Sequence, residues 1–336
     1  MMELYDIAII GGGPVGMFAA FYAGLRDTKA VLVESLPTLG GQVTALYPEK
    51  VILDVAGFVG IKGSELIDSL YRQLQLFPVE IKTNTTVTNV QKQNELFTIT
   101  TDNGTSFQAK TVIVTTGKGS FEPRKIQVDG ADSLVGQGVH YFVTNKQDFM
   151  HHDVAIAGGG DSAVDMATML NDVTASTRII HRRETFRAME QSVNALNSST
   201  VIKETPKKIV AINKQKNGKL AVTLAPVKDP YDETVISVDD LIINYGFISK
   251  NQTVASWDIK PVQDNQVFAV NQQLQTSIDG VFAIGDASHY IGKADLIAVG
   301  LGEAPTAINA AVNLFDSKRG GPGHSSSMII KNGHLS

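Results

Sequence analysis

The chain has 336 residues, 43% of them hydrophobic and 19% charged, with a net charge of −5 and no cysteine. This composition supports buried cores in two domains of about 100–200 residues each, and it excludes a disordered chain or a basic nucleic-acid footprint. The missing cysteines exclude structural disulfides, thiolate catalysis and cysteine-ligated zinc or iron–sulfur clusters.

Strand-like and helix-like segments alternate from the N-terminus. Tyr5–Ile10 is a short apolar run suited to a buried parallel strand. A glycine cluster follows, then a helix from about Val15 to Gly24 and a strand over Ala30–Glu34. This is a β-α-β unit. Leu66, Ile67, Leu70 and Leu74 share one helical face, which predicts an amphipathic helix over Ser64–Gln75 with Ser64 as its N-cap. Val87–Val90, Phe97–Thr101 and Thr111–Thr115 read as strands, broken by the turn Asp102-Asn103-Gly104.

The opening pattern then recurs. Asp153–Ala157 is a strand, Gly158-Gly159-Gly160 a turn, Ser162–Leu170 a helix and Arg178–His181 a strand. Leu220–Leu224 and Leu241–Asn244 supply further strands, and Val281–Ile284 leads into Gly285-Asp286. Glu303–Phe315 reads as a helix with Pro305 in its first turn. From Ser317 the tail is rich in Gly and Ser and shows no periodicity before Met328.

The chemistry lies in the two glycine turns. In Gly11-x-Gly13-x-x-Gly16, the first glycine allows the tight turn and the second lets backbone approach a pyrophosphate. The third allows close packing of helix on strand. Glu34 ends the next strand about 20 residues on, where a carboxylate accepts bonds from ribose hydroxyls. The second turn, Gly158-x-Gly160-x-x-Ala163, lacks that carboxylate. Its second strand runs into His181-Arg182-Arg183, with Arg187 close behind, and these cations suit a 2′-phosphate that a glutamate would repel. The first turn is therefore expected to hold FAD and the second NADPH. Asp286, at a strand end, is placed to bond ribityl hydroxyls, and the dipole of the following helix to stabilise a reduced flavin.

The whole chain resembles the thioredoxin-reductase-like flavoproteins. The matching residues are Gly11–Gly16, Gly40-Gly41-Gln42, Gly158–Ala163 (which includes Asp161 and Ser162), His181 through Ala188, and Gly280–Asp286. Members of that group that reduce thioredoxin carry a Cys-x-x-Cys before the second turn. Here the corresponding stretch, about Phe142–Asn145, has no cysteine, so a dithiol relay is excluded. Tyr47-Pro48-Glu49-Lys50, Gly302-Glu303-Ala304-Pro305-Thr306 and Pro322–Ser327 are closer still to the cysteine-free ferredoxin/flavodoxin–NADP reductases.

That resemblance implies a homodimer in which Tyr47 and His324 stack on the two flavin faces. It also implies that Pro14, Val15, Gly41, Gln42, Val87, Phe121, Thr306 and Ser326 are further FAD contacts. The expected fold is α/β, with two Rossmann-like domains of three-layer ββα type. A discontinuous FAD domain would span 1–118 and 247–336, and an NADPH domain 119–246, with hinges near Gly117–Gly119 and Gly246–Phe247. The expected activity is hydride transfer from nicotinamide to flavin, then one-electron steps to ferredoxin or flavodoxin. An NADPH diaphorase, or a free-flavin or ferric reductase, would share every motif; a non-catalytic redox sensor would need a further partner-binding module. No catalytic proton-relay residue and no metal site is expected. With no apolar run of about 18 residues and no signal peptide, a cytoplasmic protein off the membrane is expected.

Overall fold

The computed structural model describes residues 2–229, 231–250, 254, 256–264, 266–321, 330–331 and 334–335, with backbone alone at 120–122, 247–250 and beyond 321. The chain divides into two compact units, 1–120 with 249–336, and 121–248.

The first unit is built on a seven-stranded sheet. Its main path runs Glu80–Lys82, Ala30–Val33, Leu4–Ile10, Ser106–Val114, Leu96–Thr101, Val87–Gln93, and Val281–Ala283 pairs with the C-terminal half of Ser106–Val114. Leu4–Ile10 lies between two parallel neighbours, which is why its apolar run shows no alternation. The helices Pro14–Leu25, Gly63–Leu74 and Ile297–Phe315 cover one face, with Met17, Ala20, Leu66, Leu70, Ala304 and Ile308 in a common core. Alanines at 19, 20, 23, 304, 307 and 311 are all fully or almost fully buried, so the first and last of these helices approach closely. The other face packs Tyr5, Ala8, Val31 and Phe97 against Trp257 and Phe268. The Trp257 indole N–H donates to the Val87 carbonyl at 3.2 Å.

The second unit repeats the plan on a five-stranded parallel sheet, ordered Val139–His140, Asp240–Ile243, Asp153–Ala157, Ser176–Ile180, Ile202–Glu204. The helices Asp161–Asn171 and Glu190–Ser198 cover one face. A three-stranded antiparallel sheet, Lys207–Lys214, Leu220–Pro226 and Thr234–Val238, covers the other. Each unit thus carries the expected three-layer arrangement.

Two helix starts differ from expectation. Gly63–Leu74 begins with Lys62 as its N-cap, and Ser64 lies inside it. No side chain is needed there, because the Gly63 and Ser64 amides donate to the Lys50 and Pro48 carbonyls at 2.9 Å each. The last helix begins at Ile297, so Pro305 sits in its interior and not in its first turn. The half-buried apolar stretch before Glu303 supports an earlier start, and the buried Glu303, Ala304, Ala307 and Ile308 carry the helix past the missing Pro305 N–H.

The tightest point of the first unit is Gly16. A Cβ there would stand 1.9 Å from the Gly11 carbonyl oxygen, a backbone atom that has no room to move. Gly16→Ala should lower the stability of the protein by about 1–3 kcal/mol, read as a lower urea midpoint with an unchanged slope.

Candidate functional site

The first candidate site begins where Leu4–Ile10 ends. Gly11 has φ of +112°, open to glycine and strained for other residues. Its amide donates to Val33 O at 2.8 Å, and a Cβ on it would stand 2.5 Å from Thr115 O. Thr115 Oγ1 donates towards the Ile10 and Gly11 carbonyls, locking the turn from the neighbouring strand. Gly13 is the N-cap of Pro14–Leu25, and a Cβ on it would face open space. Open space beside the exposed amides of a helix start is what a pyrophosphate needs.

Glu34 closes one end of this crevice. It is 6% exposed, and its Oε2 accepts the Gly12 amide at 2.6 Å while Oε1 accepts the Leu36 amide at 2.8 Å. Two backbone donors therefore fix the carboxylate at the strand end. A second glycine loop docks on the first: the Gly40 amide donates to Gly12 O at 2.8 Å, and a Cβ on Gly41 would lie 3.1 Å from Gly13 Cα. Gln42 follows, its side-chain amide near Gly117. Beside Gly117, Thr116 Oγ1 is buried without a hydrogen-bond partner, a polar atom left for something other than this chain's described groups.

At the other end, Gly285–Ala287 forms a short 3₁₀ turn with Asp286 at its centre. Val15 packs against both Gly285 and Gly300, so the first helix and the last meet over this turn. Burial raises the Asp286 carboxyl above the usual carboxylate range; Lys118 pulls it back and Asp295 adds to the rise. Tyr47, partly buried at the end of the Gly41–Leu46 helix, has its hydroxyl pushed up to about 12 by burial and then by Asp286 and Asp54. The structure thus brings Gly11, Gly13, Pro14, Val15, Gly16, Glu34, Gly41, Gln42, Tyr47 and Asp286 around one crevice at the C-terminal ends of parallel strands, where such sheets bind ligands.

The remaining expected contacts are placed as follows. Val87 is a core residue whose carbonyl is taken by Trp257. Thr306 is exposed on the last helix. The Phe121 side chain, His324 and Ser326 lie outside the described residues.

The second candidate site repeats the turn with other ends. A Cβ on Gly158 would stand 2.4 Å from Asn244 O and 2.8 Å from the Ala163 Cβ, so the alanine takes the place of the third glycine. Gly160 is the N-cap of Asp161–Asn171 and faces near-open space. Ser162 is exposed in its first turn, and Asp161 Oδ1 accepts the Met189 amide at 2.9 Å. The Arg187 amide donates to Gly159 O at 2.7 Å, which brings Arg187 onto the glycine turn. Arg182, Arg183 and Arg187 are all exposed, and no carboxylate ends the Ser176–Ile180 strand. His181 stands there instead, stacked on Phe186 at 5.5 Å, its Nε2 buried without a partner.

Sequence reasoning missed one part of the first site. Lys293 and Glu303 form a buried ion pair behind the Asp286 turn. Glu303 entered only as a letter in a motif, and Lys293 not at all. The available signal was that Glu303 is the one charged residue in the apolar helix Ile297–Phe315. Among the described residues no acidic, His or Cys group is arranged to hold a metal, and no helix is long and apolar enough to cross a membrane.

Burial pushes the His181 imidazole below its ordinary range, and Arg182 and Arg183 push it further. It should be neutral at pH 7, with an NMR titration midpoint below about 6.5. Arg182→Ala should move that midpoint up.

Comparison with known proteins agrees with this geometry. The model of the pyridine nucleotide-disulphide oxidoreductase family matches residues 5–311. A protein of Leuconostoc mesenteroides named ferredoxin–NADP reductase is 73% identical over 335 residues, covering 100% of both chains. A protein of the same name from Lactiplantibacillus plantarum is 45% identical and covers 98% of this chain and 100% of its own. The solved structure of Lactococcus lactis thioredoxin reductase, in its FR conformation, superposes with a TM-score of 0.77 at 26% identity, over 92% of this chain and 98% of that one. That of T. acidophilum thioredoxin reductase, at 23% identity and a TM-score of 0.77, shares the fold. With the family model spanning both glycine turns, the chain belongs to the pyridine nucleotide-disulphide oxidoreductase family.

Proposed function

We propose that this protein is an FAD-dependent oxidoreductase that moves electrons between NADPH and ferredoxin or flavodoxin. The observation that carries the reading is the contrast between the two turns. One ends in a buried carboxylate held by backbone amides, the other in three exposed arginines. The names of relatives 73% and 45% identical over essentially the whole chain support the choice of acceptor. The absence of cysteine removes the disulfide chemistry in the family's name.

In this reading the first unit is the FAD domain and the second the NADPH domain. The crevice fits FAD: Gly13 leaves room for a pyrophosphate, Glu34 stands where ribose hydroxyls would reach, and Thr116 Oγ1 lacks a partner. When bound, the flavin supplies acceptance of a hydride and release of single electrons, which no side chain here can do. Glu34 and Asp286 bind and orient. Tyr47, kept as a neutral phenol by its raised pKa, offers a ring face without adding charge. Arg182, Arg183 and Arg187 select the 2′-phosphate, each charge-assisted bond contributing about 1.5–3 kcal/mol. Neutral His181 leaves that selection to the arginines. A homodimer with His324 over the partner's flavin, and a cytoplasmic location, belong to the same proposal.

The test is NADPH oxidation by the purified holoenzyme with ferredoxin, flavodoxin, ferric citrate and oxygen offered separately. The iron–sulfur or flavin protein should be the fastest acceptor. Ferric citrate exceeding both would instead make this a ferric reductase. In the same assay, Arg182→Ala should lose on the order of 10–100-fold in NADPH efficiency with little change for NADH. Equal loss with both nucleotides would remove the 2′-phosphate assignment.

A further inference from the structure

Behind Asp286 lies a charged network that the functional reading does not use. Gly285 has both backbone groups held by side chains. Its amide donates to Glu303 Oε2 at 2.6 Å, and its carbonyl accepts Lys293 Nζ at 2.6 Å and Ser288 Oγ at 3.0 Å. Lys293 Nζ also reaches Ser288 Oγ at 2.5 Å and Glu303 Oε1 at 2.9 Å. The Tyr290 hydroxyl donates to Glu303 Oε1 at 2.9 Å. The Lys293 and Glu303 side chains are 2% and 5% exposed.

A buried ion pair is costly to desolvate and gives a fold little net stability, so its presence calls for another account. Here the pair holds the two peptide groups that flank Gly285, Glu303 the amide of the one before it and Lys293 the carbonyl of the one after it. The second of these peptides leads into Asp286, and Gly285 between them has φ of +61°, a backbone conformation that favours glycine. The pair also contributes opposite charges at Asp286, where Lys293 favours the ionised carboxylate and Glu303 the protonated one. The other groups acting on Asp286 or on which it acts are Lys118, Asp295 and Tyr47.

We propose that Lys293 and Glu303 are positioning residues that clamp the two peptides flanking Gly285 and balance charge behind them, so that Asp286 presents an ionised carboxylate to the ribityl hydroxyls of FAD. This rests on the FAD reading of the first crevice. Removing Lys293 alone leaves the Glu303 anion behind Asp286. Removing the Glu303 charge alone leaves the cation. Both break the clamp, but they move Asp286 in opposite directions.

The experiment titrates apoprotein with FAD, followed by flavin fluorescence, from acid to neutral pH. The variants are Lys293→Met, Glu303→Gln, the K293M/E303Q double and Asp286→Asn. At neutral pH each single variant should bind FAD on the order of 10–100-fold more weakly, and the double about 10-fold more weakly. The acid limb, where binding fails as Asp286 protonates, should move to higher pH in Lys293→Met and to lower pH in Glu303→Gln. It should return towards wild type in the double and vanish in Asp286→Asn. Limbs that move the same way, or not at all, overturn the proposal, as does a limb that survives Asp286→Asn. Where circular dichroism shows that a single variant has not folded, the double decides, because it leaves no uncompensated charge; wild-type affinity in the double overturns the clamp. Wild-type apoprotein that fails to bind FAD at any pH would instead remove the reading on which this rests.

Discussion

The first unit depends on one close approach of backbone to backbone. The Pro14–Leu25 helix can meet the strand before it only because Gly16 presents no side chain to the Gly11 carbonyl. Gly11 in turn can pass beneath Thr115 only without a Cβ. From that approach the rest of the crevice follows. The helix start is brought to the ends of the parallel strands, Gly13 opens onto free space, and the Gly40–Gly41 loop can rest on Gly12 and Gly13. The second unit solves the same problem with Gly158 and Ala163, whose methyl group still clears the turn.

In the proposed reading, two copies of one architecture take different ligands through the residue that ends the second strand. In the first copy a carboxylate is buried and held by two amides, so it stays fixed where hydroxyl groups need an acceptor. In the second copy the equivalent place is filled by His181, pressed against Gly159 and stacked on Phe186, while the neighbouring arginines remain in solvent. A ring in place of the carboxylate, with exposed cations close by in the chain, leaves no competing negative charge at the strand end. In that reading a small local change separates the FAD site from the NADPH site.

Most of this was legible in the sequence, because it is carried by residues adjacent in the chain. Glycine spacing marked both turns, and Glu34 and the arginine cluster marked the strand ends. What escaped was set by tertiary partners. Ser64 looked like a cap, but the Lys50 and Pro48 carbonyls already satisfy that helix start. Pro305 suggested a helix start, yet the helix begins at Ile297, with Gly300 packed against Val15, and runs on through the proline. The Lys293–Glu303 pair was invisible because its meaning lies in Gly285, a residue that neither neighbours in sequence.

The account stands on the claim that one chain seats a bound flavin in its first crevice and a phosphorylated nicotinamide nucleotide at its second. An anaerobic titration of the yellow holoprotein with NADPH, followed at the visible flavin band, tests this most directly. The account predicts bleaching complete at about one NADPH per bound FAD, as a single two-electron acceptor requires, with NADH far less effective at the same concentration. A flavin band that NADPH leaves unchanged, or that NADH bleaches equally well, would contradict it.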